Sequence, residues 1–205
     1  MAYLSLQEAR DALRIASTDT ADDAFLSTLI TRVTSEIDQY MRTLRATFVK
    51  FEPSTGLTRY YSGDGGRYLL TDDVLAVTTL HERDSGNSSW ETAWTTNDYW
   101  VPDRLPYNVL EIKDSSTAQT AWTRGRRNFR VVGDFGYATA CPADVSQAAL
   151  EEVIRIYRTR DAGFSDETGV DAQGESVQGG GRNVSRALSA RTKRILQAYG
   201  QTIFA

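Results

Sequence analysis

The chain has 205 residues, of which 40% are hydrophobic and 24% are charged, so it can bury enough apolar surface to fold. It contains no run of about eighteen apolar residues, which excludes a membrane-spanning helix. Cys141 is the one cysteine, which excludes an intrachain disulfide and a cysteine-based metal cluster and fits a reducing cytoplasm. We expect no secretory signal, because charges interrupt the apolar residues of the first segment.

The net charge of −4 is unevenly distributed along the chain. Residues 182–205 contain five basic residues and no acid, so this segment carries +5 and the rest of the chain carries −9. Such an asymmetry indicates that the C-terminal segment meets something acidic. That acidic surface is either a partner or the body of the protein itself.

The first two predicted elements are helices. Ser5 and Glu8 have the spacing of a capping box, which predicts a short helix over residues 5–16. A second helix is predicted to begin at Asp22 and Asp23, since acids favour the positive end of a helix. Its apolar residues recur at helical spacing and form one broad face. They are Phe25, Leu26, Leu29, Ile30, Val33, Ile37, Tyr40, Met41 and Leu44.

Glycine and proline become frequent after residue 47, with short aromatic and β-branched segments between them. Residues 62–66, Ser-Gly-Asp-Gly-Gly, have the composition of a hairpin turn, which predicts that the strands on either side pair with each other. Further strands are predicted over residues 74–81, 99–101, 109–112 and 128–135. Residues 48–137 are therefore predicted to form a small antiparallel β unit.

Helix returns at Pro142, which suits the first helical position because no hydrogen-bond donor is needed there. This third helix carries an apolar stripe and ends near Gly163, with arginines in its last turns, where cations complement the helix dipole. Residues 162–183 are rich in glycine and polar residues, and we expect a flexible loop. A last helix over residues 184–200 precedes a short apolar tail at 201–205.

The predicted fold class is α+β, a mainly α-helical bundle of about four helices with a small antiparallel β domain inserted between helices 2 and 3. The helical domain comprises residues 1–47 and 138–200, and the β unit comprises residues 48–137. Residues 136–141 form the junction at which the chain leaves the sheet and re-enters the bundle.

The sequence offers little catalytic chemistry. A Ser-His-Asp or Cys-His arrangement needs a histidine base, and the only histidine, His81, lies on a predicted strand without a nucleophile-elbow pattern. No phosphate-binding glycine loop occurs. Asp72 and Asp73 are adjacent, and neighbouring strand residues point to opposite faces, so this acidic pair does not predict a metal. We therefore predict no catalytic residue, no metal and no cofactor.

A cluster of arginines follows an aromatic residue late in the β region. Trp122, Arg124, Arg126 and Arg127 could bind phosphate and stack bases, which makes a nucleic-acid contact one interpretation. The whole chain is acidic, however, whereas dedicated nucleic-acid binders are usually basic. A solvated loop tip or a protein interface is the other interpretation.

An ordered set of motifs resembles the head-tail connector, or adaptor, proteins of tailed bacteriophages. The family pattern V-x-G-x-x-G-Y is followed there by proline and by an alanine-containing helix that ends in Y-x-x-R. The matching residues are V-V-G-D-F-G-Y at 131–137, Pro142, Ala148, Ala149 and Y-R-T-R at 157–160. Residues 97–102, N-D-Y-W-V-P, also resemble a strand of the family. The resemblance extends over residues 4–160, and the later segments match only in character.

The resemblance implies a structural protein of the virion neck, made in the bacterial cytoplasm, that forms a ring of about twelve subunits beneath the portal. Such a ring extends the DNA channel and offers a platform to a stopper or tail-completion protein. Double-stranded DNA would pass without specific binding, because an acidic wall repels it. The implied partners are the portal, the stopper or tail-completion protein and further copies of the chain, with no membrane.

The resemblance also implies roles for particular residues. Small alanines would let helices of neighbouring subunits approach closely, and arginines would pair with acids of the next subunit. The predicted subunit-interface residues are Ala148, Ala149, Glu151, Glu152, Arg155, Arg158 and Arg160. The predicted portal-binding residues, on the last helix and tail, are Arg186, Arg191, Lys193, Arg194, Tyr199, Ile203 and Phe204.

The sequence leaves three hypotheses. The first is a structural assembly protein without catalysis, with another neck protein, a stopper or tail-completion protein, as the alternative within that class. The second is a nucleic-acid-binding module, which salt-dependent DNA binding would support. The third is an enzyme, for which His81 is the residue to test.

Overall fold

The computed structural model of the chain describes residues 3–83, 90–101, 106–116, 119–161, 169–170, 176–177 and 188–200. The chain divides into two compact units. One unit consists of Met1–Met41 and Ala143–Ala205 and contains the helices, and the other consists of Arg42–Pro142 and contains a large β-sheet.

The second unit is built on a six-stranded sheet in which all paired strands are antiparallel. Its strands are β1 (Ser54–Gly63), β2 (Tyr68–Arg83), β3 (Trp90–Trp94), β4 (Tyr99–Trp100), β5 (Tyr107–Ile112) and β6 (Gly125–Phe135). Their order is β1-β6-β2-β5-β4, and β3 also pairs with β2. The first half of β2 pairs with β5 and the second half with β3, while β6 lies along the opposite edge of β2.

The predicted hairpin at residues 62–66 is wrong, although this segment does connect β1 to β2. The two strands do not pair, because β6 lies between them. Tyr60 of β1 pairs with Arg130 of β6, and Arg130 pairs on its other side with His81 of β2. Turn residues indicate only that the chain changes direction. The strand that pairs with β1 is β6, which lies in a distant part of the sequence.

The inner face of the sheet encloses an aromatic core. Trp94 and Trp122 stack with 4.1 Å between ring centroids and 9° between ring planes, and Phe129 meets both rings edge to face. The other buried members of this core are Leu69, Val74, Leu80, Tyr99, Tyr107, Leu110, Ile112, Val131 and Phe135. Register shifts on both sides of Val74 bend β2, and such irregularities let one sheet curve around its own core.

The helical unit contains α1 (Leu6–Leu13), α2 (Asp23–Leu44), α3 (Ala143–Asp161) and α4 (Ala190–Gln197). It also contains a short antiparallel pair, β7 (Gly169–Val170) and β8 (Ser176–Val177). The predicted capping box is confirmed, because Ser5 Oγ accepts the Glu8 N–H and the Glu8 carboxylate accepts the Ser5 N–H. The helix α1 ends at Leu13 rather than at residue 16, since Arg14 adopts a left-handed backbone with φ of 60°. The helix α4 is also shorter than predicted and begins after its cap, Ser189.

The predicted apolar stripes of α2 and α3 are confirmed in their main members. The buried apolar residues of α2 are Leu26, Leu29, Ile30, Val33, Ile37 and Met41, and those of α3 are Val145, Ala148, Ala149 and Val153. The helix α3 packs against both α1 and α4. Tyr157 of α3 also lies 6.2 Å from the Phe25 ring and donates a hydrogen bond of 2.5 Å to Asp22.

A buried ion pair fixes the middle of β2 within the sheet unit. Arg45 follows α2 directly, and its guanidinium donates to both carboxylate oxygens of Asp73 at 2.7 to 3.0 Å. Thr47 Oγ1 donates to the same carboxylate at 3.0 Å. Both charged side chains are buried, at 3% and 0% exposure. Aspartate is rare in β-strands, and the ion pair with Arg45 explains how Asp73 can occupy a buried position in β2.

The prediction of a mainly α-helical bundle with a small inserted β domain is wrong. Helix and strand contribute about equally, and the sheet is the largest single element of the fold. The prediction divided β2, which runs unbroken over Tyr68–Arg83, into a strand after the turn at 62–66 and another over residues 74–81, and it started β6 at residue 128 rather than at Gly125. Polar residues in these regions have the composition of turns, but the Arg45–Asp73 pair and the cross-strand pairing hold them in strands.

Candidate interaction surfaces

Two arginines and two aromatic residues form a continuous strip on the outer face of the sheet. The guanidinium of Arg127 lies 5.0 Å from the centroid of the Tyr60 ring, and that of Arg130 lies 5.2 Å from the Trp90 ring. The two rings are themselves 5.5 Å apart. These four residues, Arg127, Tyr60, Trp90 and Arg130, are called the arginine–aromatic strip. Each arginine is oriented by a ring, which leaves guanidinium N–H groups for an anion.

The backbone holds Arg127 over Tyr60 at a cost in strain. Arg127 has φ of 52°, and its N–H donates a hydrogen bond of 2.9 Å to Ser62 Oγ. The register of β1 and β6 shifts at this point, between Tyr61 and Gly63. A non-glycine residue in the left-handed region costs roughly 1–2 kcal/mol, and such residues concentrate at functional sites.

An open groove of about 470 Å³ borders the strip. Its lining residues are Thr58, Arg59, Tyr60, Tyr61, Asp72 and Arg127. Inside it, Tyr61 Oη donates a hydrogen bond of 3.1 Å to the Asp72 carboxylate, and Arg59 lies 3.9 Å from the same carboxylate. Burial, followed by the charge of Asp72, raises the pKa of Tyr61, so the phenol stays protonated. The groove therefore contains both a carboxylate and an arginine.

The residues predicted to contact nucleic acid are only partly at the surface. Arg124, Arg126 and Arg127 are exposed, but Trp122 is fully buried at 0% exposure, where it stacks on Trp94. Its indole N–H donates to the Arg67 carbonyl at 2.9 Å, so the ring has a structural role. The aromatic residues beside the arginines are Tyr60 and Trp90, which sequence reasoning missed because they are distant along the chain.

Large apolar side chains are exposed on a second part of the sheet. Tyr68, Leu70 and Trp100 are 54%, 65% and 59% exposed, and these three residues are called the apolar face. Glu111 pairs in register with both Tyr68 and Trp100, which places these side chains in one row across β2, β5 and β4. Lys113 Nζ lies 4.6 Å from the Trp100 ring centroid. Glu111 lies between Tyr68 and Trp100 in this row, so one carboxylate interrupts the exposed apolar side chains.

A buried carboxylate anchors α4 within the helical unit. Glu152 is 2% exposed and accepts hydrogen bonds from the Ser189 N–H at 2.8 Å, the Thr192 hydroxyl at 2.7 Å and Arg155 Nε at 2.9 Å. Burial opposes ionisation, but the hydrogen bonds from Ser189, Thr192 and Arg155 outweigh it, so the pKa of Glu152 is lowered. The ionised carboxylate therefore holds the first turn of α4 against α3.

Several residues predicted for the subunit interface lie inside the helical unit. Ala148 and Ala149 are buried, Glu152 and Arg155 bond to each other, and Glu152 also bonds to Ser189 and Thr192 at the start of α4. Glu151 lies 3.3 Å from Arg191, and Arg158 is exposed. The side chain of Arg160 lies outside the described residues. The intersubunit role of this set stays a prediction.

The predicted portal-binding residues also differ in their surroundings: some are exposed, some contact other residues of the chain, and some lie outside the described residues. Arg191 and Arg194 are exposed, Lys193 is half-buried, and Tyr199 Oη donates a hydrogen bond of 2.6 Å to Asp144. Arg191 also pairs with Glu151, so part of the basic excess does meet the protein's own acids. The remaining three, Arg186, Ile203 and Phe204, lie outside the described residues, as does most of the glycine-rich segment 162–183.

The described residues show no arrangement suited to metal chemistry. No group of three or more histidine, cysteine or acidic side chains in the described ranges could hold a metal ion. His81 lies beside Arg130 in the sheet register, and its Nδ1 has no hydrogen-bond partner among the described residues. None of the helices that the structure describes is both long enough and apolar enough to span a bilayer.

No protein-family model matches the chain, and no curated protein matches it. Among solved structures, the chain is similar to one in the neck of an empty GTA particle computed with C6 symmetry. That similarity covers 99% of this chain and 91% of the other, with a TM-score of 0.52 and 20% identity. A chain in the virion of a native gene transfer agent (GTA) particle matches over the same shares with a TM-score of 0.49 and 20% identity. The first similarity shows a shared fold.

Proposed function

We propose that this chain is a structural protein of the neck of a phage-like particle, and specifically an adaptor that forms a ring beneath the portal. The observation that carries the proposal is the fold that the chain shares, over 99% of its length, with a chain from the neck of a GTA particle. The connector-like motifs between residues 131 and 160 support the same function from the sequence. The function requires no catalysis and no cofactor.

The proposed ring contains about twelve copies and provides the platform for a stopper or tail-completion protein. Such a number is compatible with the C6 symmetry of the similar neck, because it is a multiple of six. The net charge of −4 suits a channel wall, since DNA is densely negative and a basic wall would retain it.

The apolar face supports an assembly function independently of the comparisons. Leu70 is 65% exposed on a strand whose neighbouring residue, Leu69, is fully buried, so the strand has apolar side chains on both faces. A strand of an antiparallel sheet with one solvated face normally alternates apolar and polar residues. We propose that the second apolar side of β2 is covered in the assembled neck.

We propose that α4 and the residues after it contact the portal. Arg191 and Arg194 are exposed and supply positive charge, and Arg186, Ile203 and Phe204 complete the proposed set from outside the described residues. Removal of residues 201–205 should abolish portal binding in a pull-down and leave the thermal unfolding midpoint unchanged. Binding that survives the removal would contradict this assignment.

Loss of the protein from its own particle tests the proposed function. Particles assembled without it should be DNA-filled heads that lack tails, and supplying the wild-type chain should restore the tails. Electron microscopy of the isolated heads gives the readout. Tail-less heads that still carry a complete ring on the portal would indicate a stopper or tail-completion protein instead, and heads with normal tails would contradict a neck function.

A further inference from the structure

We propose that the arginine–aromatic strip binds the acidic surface of α1 and the turn after it on a second copy of this chain. This contact would be the head-to-tail interface of the ring, so the inference rests on the proposed function and names the surfaces that close the ring.

The strip has the geometry of a preformed anion site. Arg127 and Arg130 are each stacked at 5.0 to 5.2 Å on a ring, and the two rings contact each other. Stacked guanidinium groups lose less side-chain freedom on binding than free ones, and they offer paired N–H donors that fit a carboxylate. The Nε of Arg130 is buried, so an incoming carboxylate would bind the terminal N–H groups of this guanidinium.

The segment that contains both arginines of the strip carries no acidic residue. Residues 124–130 contain four arginines, Arg124, Arg126, Arg127 and Arg130, and no acid. The first three are exposed. Arginine is enriched at protein interfaces because its weakly hydrated group tolerates burial. The segment therefore presents a concentrated positive surface on a chain whose net charge is −4.

A complementary surface lies on α1 and the turn that follows it. Residues 8–23 contain five acids and two arginines, and Glu8, Asp11 and Asp19 are exposed. One of those arginines, Arg10, is buried and bonds to the carbonyls of Ala16 and Ser17 and to Asp23. Arg10 does not neutralise the exposed acids, and the other arginine, Arg14, is exposed. Three exposed acids against one exposed arginine leave this surface negative.

Each copy thus carries one positive and one negative surface, and they belong to different compact units of the chain. A contact between two different surfaces of identical copies is head-to-tail, and such contacts close into rings. A protein carboxylate is favoured over DNA phosphate, because the whole chain carries a net charge of −4, which disfavours an extended polyanion. The Asp72 carboxylate in the adjoining groove is compensated by Arg59 at 3.9 Å and by the Tyr61 hydroxyl at 3.1 Å.

Charge reversal on both surfaces tests the contact in the full chain. The strip variant is Arg127→Glu with Arg130→Glu, and the α1 variant is Asp11→Arg with Asp19→Arg. Each variant, mixed with the portal of the same particle, should bind at least about tenfold fewer copies per portal, because like charges face each other in the ring. A one-to-one mixture of the two variants should restore the ring, since every contact in an alternating ring again joins opposite charges.

A control for the strip variant carries the same decrease in net charge elsewhere. Arg32→Glu with Arg42→Glu alters two exposed arginines of α2 and should assemble as the wild type does. Thermal unfolding of each variant identifies any that fail to fold. The mixing experiment remains decisive for those that do fold.

Other outcomes would overturn the inference. Normal assembly of the strip variant, or failure of the mixture to restore the ring, would show that the ring uses different surfaces. DNA binding by the wild type that the strip variant loses, with ring assembly unchanged, would identify the strip as a nucleic-acid site. A wild-type chain that never assembles on the portal would instead contradict the proposed function.

Discussion

At the scale of single residues, this fold depends on a few polar and glycine residues whose contacts another side chain would break. Asp73 is buried in β2 and is tolerated there because Arg45 binds both of its oxygens. Gly133 in β6 is equally constrained, since an added Cβ would lie 2.1 Å from the Ala76 carbonyl oxygen. The glycine at position 133 within V-V-G-D-F-G-Y, residues 131–137, thus has a packing explanation.

The Arg45→Met substitution tests the buried pair. It leaves the Asp73 carboxylate buried without its guanidinium, and we expect a loss of about 3–5 kcal/mol in the free energy of unfolding. Urea unfolding monitored by tryptophan fluorescence measures this loss. Arg42→Met, three positions earlier and exposed, is the control and should change the free energy by less than about 0.5 kcal/mol. Equal midpoints for the two variants would contradict the structural role of the pair.

The Gly133→Ala substitution tests the close approach of β6 to β2. The added methyl group would meet backbone rather than a movable side chain, so the strands must separate, and we expect a loss of about 3 kcal/mol. Gly56→Ala is the comparison, because Gly56 has φ of 64° but open space around its Cβ position. That variant carries only backbone strain of roughly 1 kcal/mol. A larger effect at Gly56 than at Gly133 would refute the packing argument.

At the scale of elements, α4 and the residue Tyr199 after it contact three carboxylates of α3, Asp144, Glu151 and Glu152, of which Glu152 is the buried one. Glu152 receives hydrogen bonds from the cap residue Ser189, from Thr192 and from Arg155. Its pKa is lowered below the ordinary value of 4.5, so its contribution to stability is present above that value. The contribution is lost as the pH falls through the lowered pKa, because the protonated group no longer accepts the same bonds.

We therefore expect α4 to detach first when the protein is acidified. Hydrogen exchange of the α4 amides should accelerate as the pH falls below about 4.5, after correction for intrinsic exchange. Glu152→Gln should show fast exchange already at neutral pH and little further pH dependence. Glu151→Gln removes only the solvent-exposed ion pair with Arg191, so it should change the exchange of α4 much less than Glu152→Gln does. A pH profile that Glu152→Gln leaves unchanged would contradict the anchoring role.

The elements differ in how far the sequence could predict them. The capping box at Ser5, the stripe of α2 and the start of α3 after Pro142 depend on neighbouring residues, and local spacing predicts them. The partner of β1 could not be predicted in this way, because β6 lies about seventy residues further along the chain. For the same reason the sequence could place Trp122 beside arginines but could not show that its ring stacks on Trp94.

At the scale of the whole molecule, the apolar face and the arginine–aromatic strip are the two surfaces that fit an assembly protein. The strip supplies charge that orients an approaching partner, and the apolar face supplies exposed apolar surface that a partner could bury. The sequence predicted Arg127 of the strip as a contact residue, but it could not predict the apolar face, since nothing local shows that Tyr68, Leu70 and Trp100 are exposed.

The Leu70→Glu substitution separates assembly from folding. Because Leu70 is 65% exposed, its replacement should change the free energy of unfolding by less than about 0.5 kcal/mol. Its assembly on the portal should nevertheless fall, since the charge would be buried in the neck. Leu69→Glu, the neighbouring core position, should unfold the protein. Full assembly of the Leu70 variant would exclude the apolar face from the neck contacts.

The proposed ring of this chain on a portal can be tested by measuring the mass of the complex. Light scattering after size-exclusion chromatography should be measured for the purified chain alone and mixed with the portal of the same particle. If the ring forms, the complex should be heavier than the portal alone by the mass of about twelve copies of the chain. A chain that remains monomeric and elutes separately from the portal would contradict it.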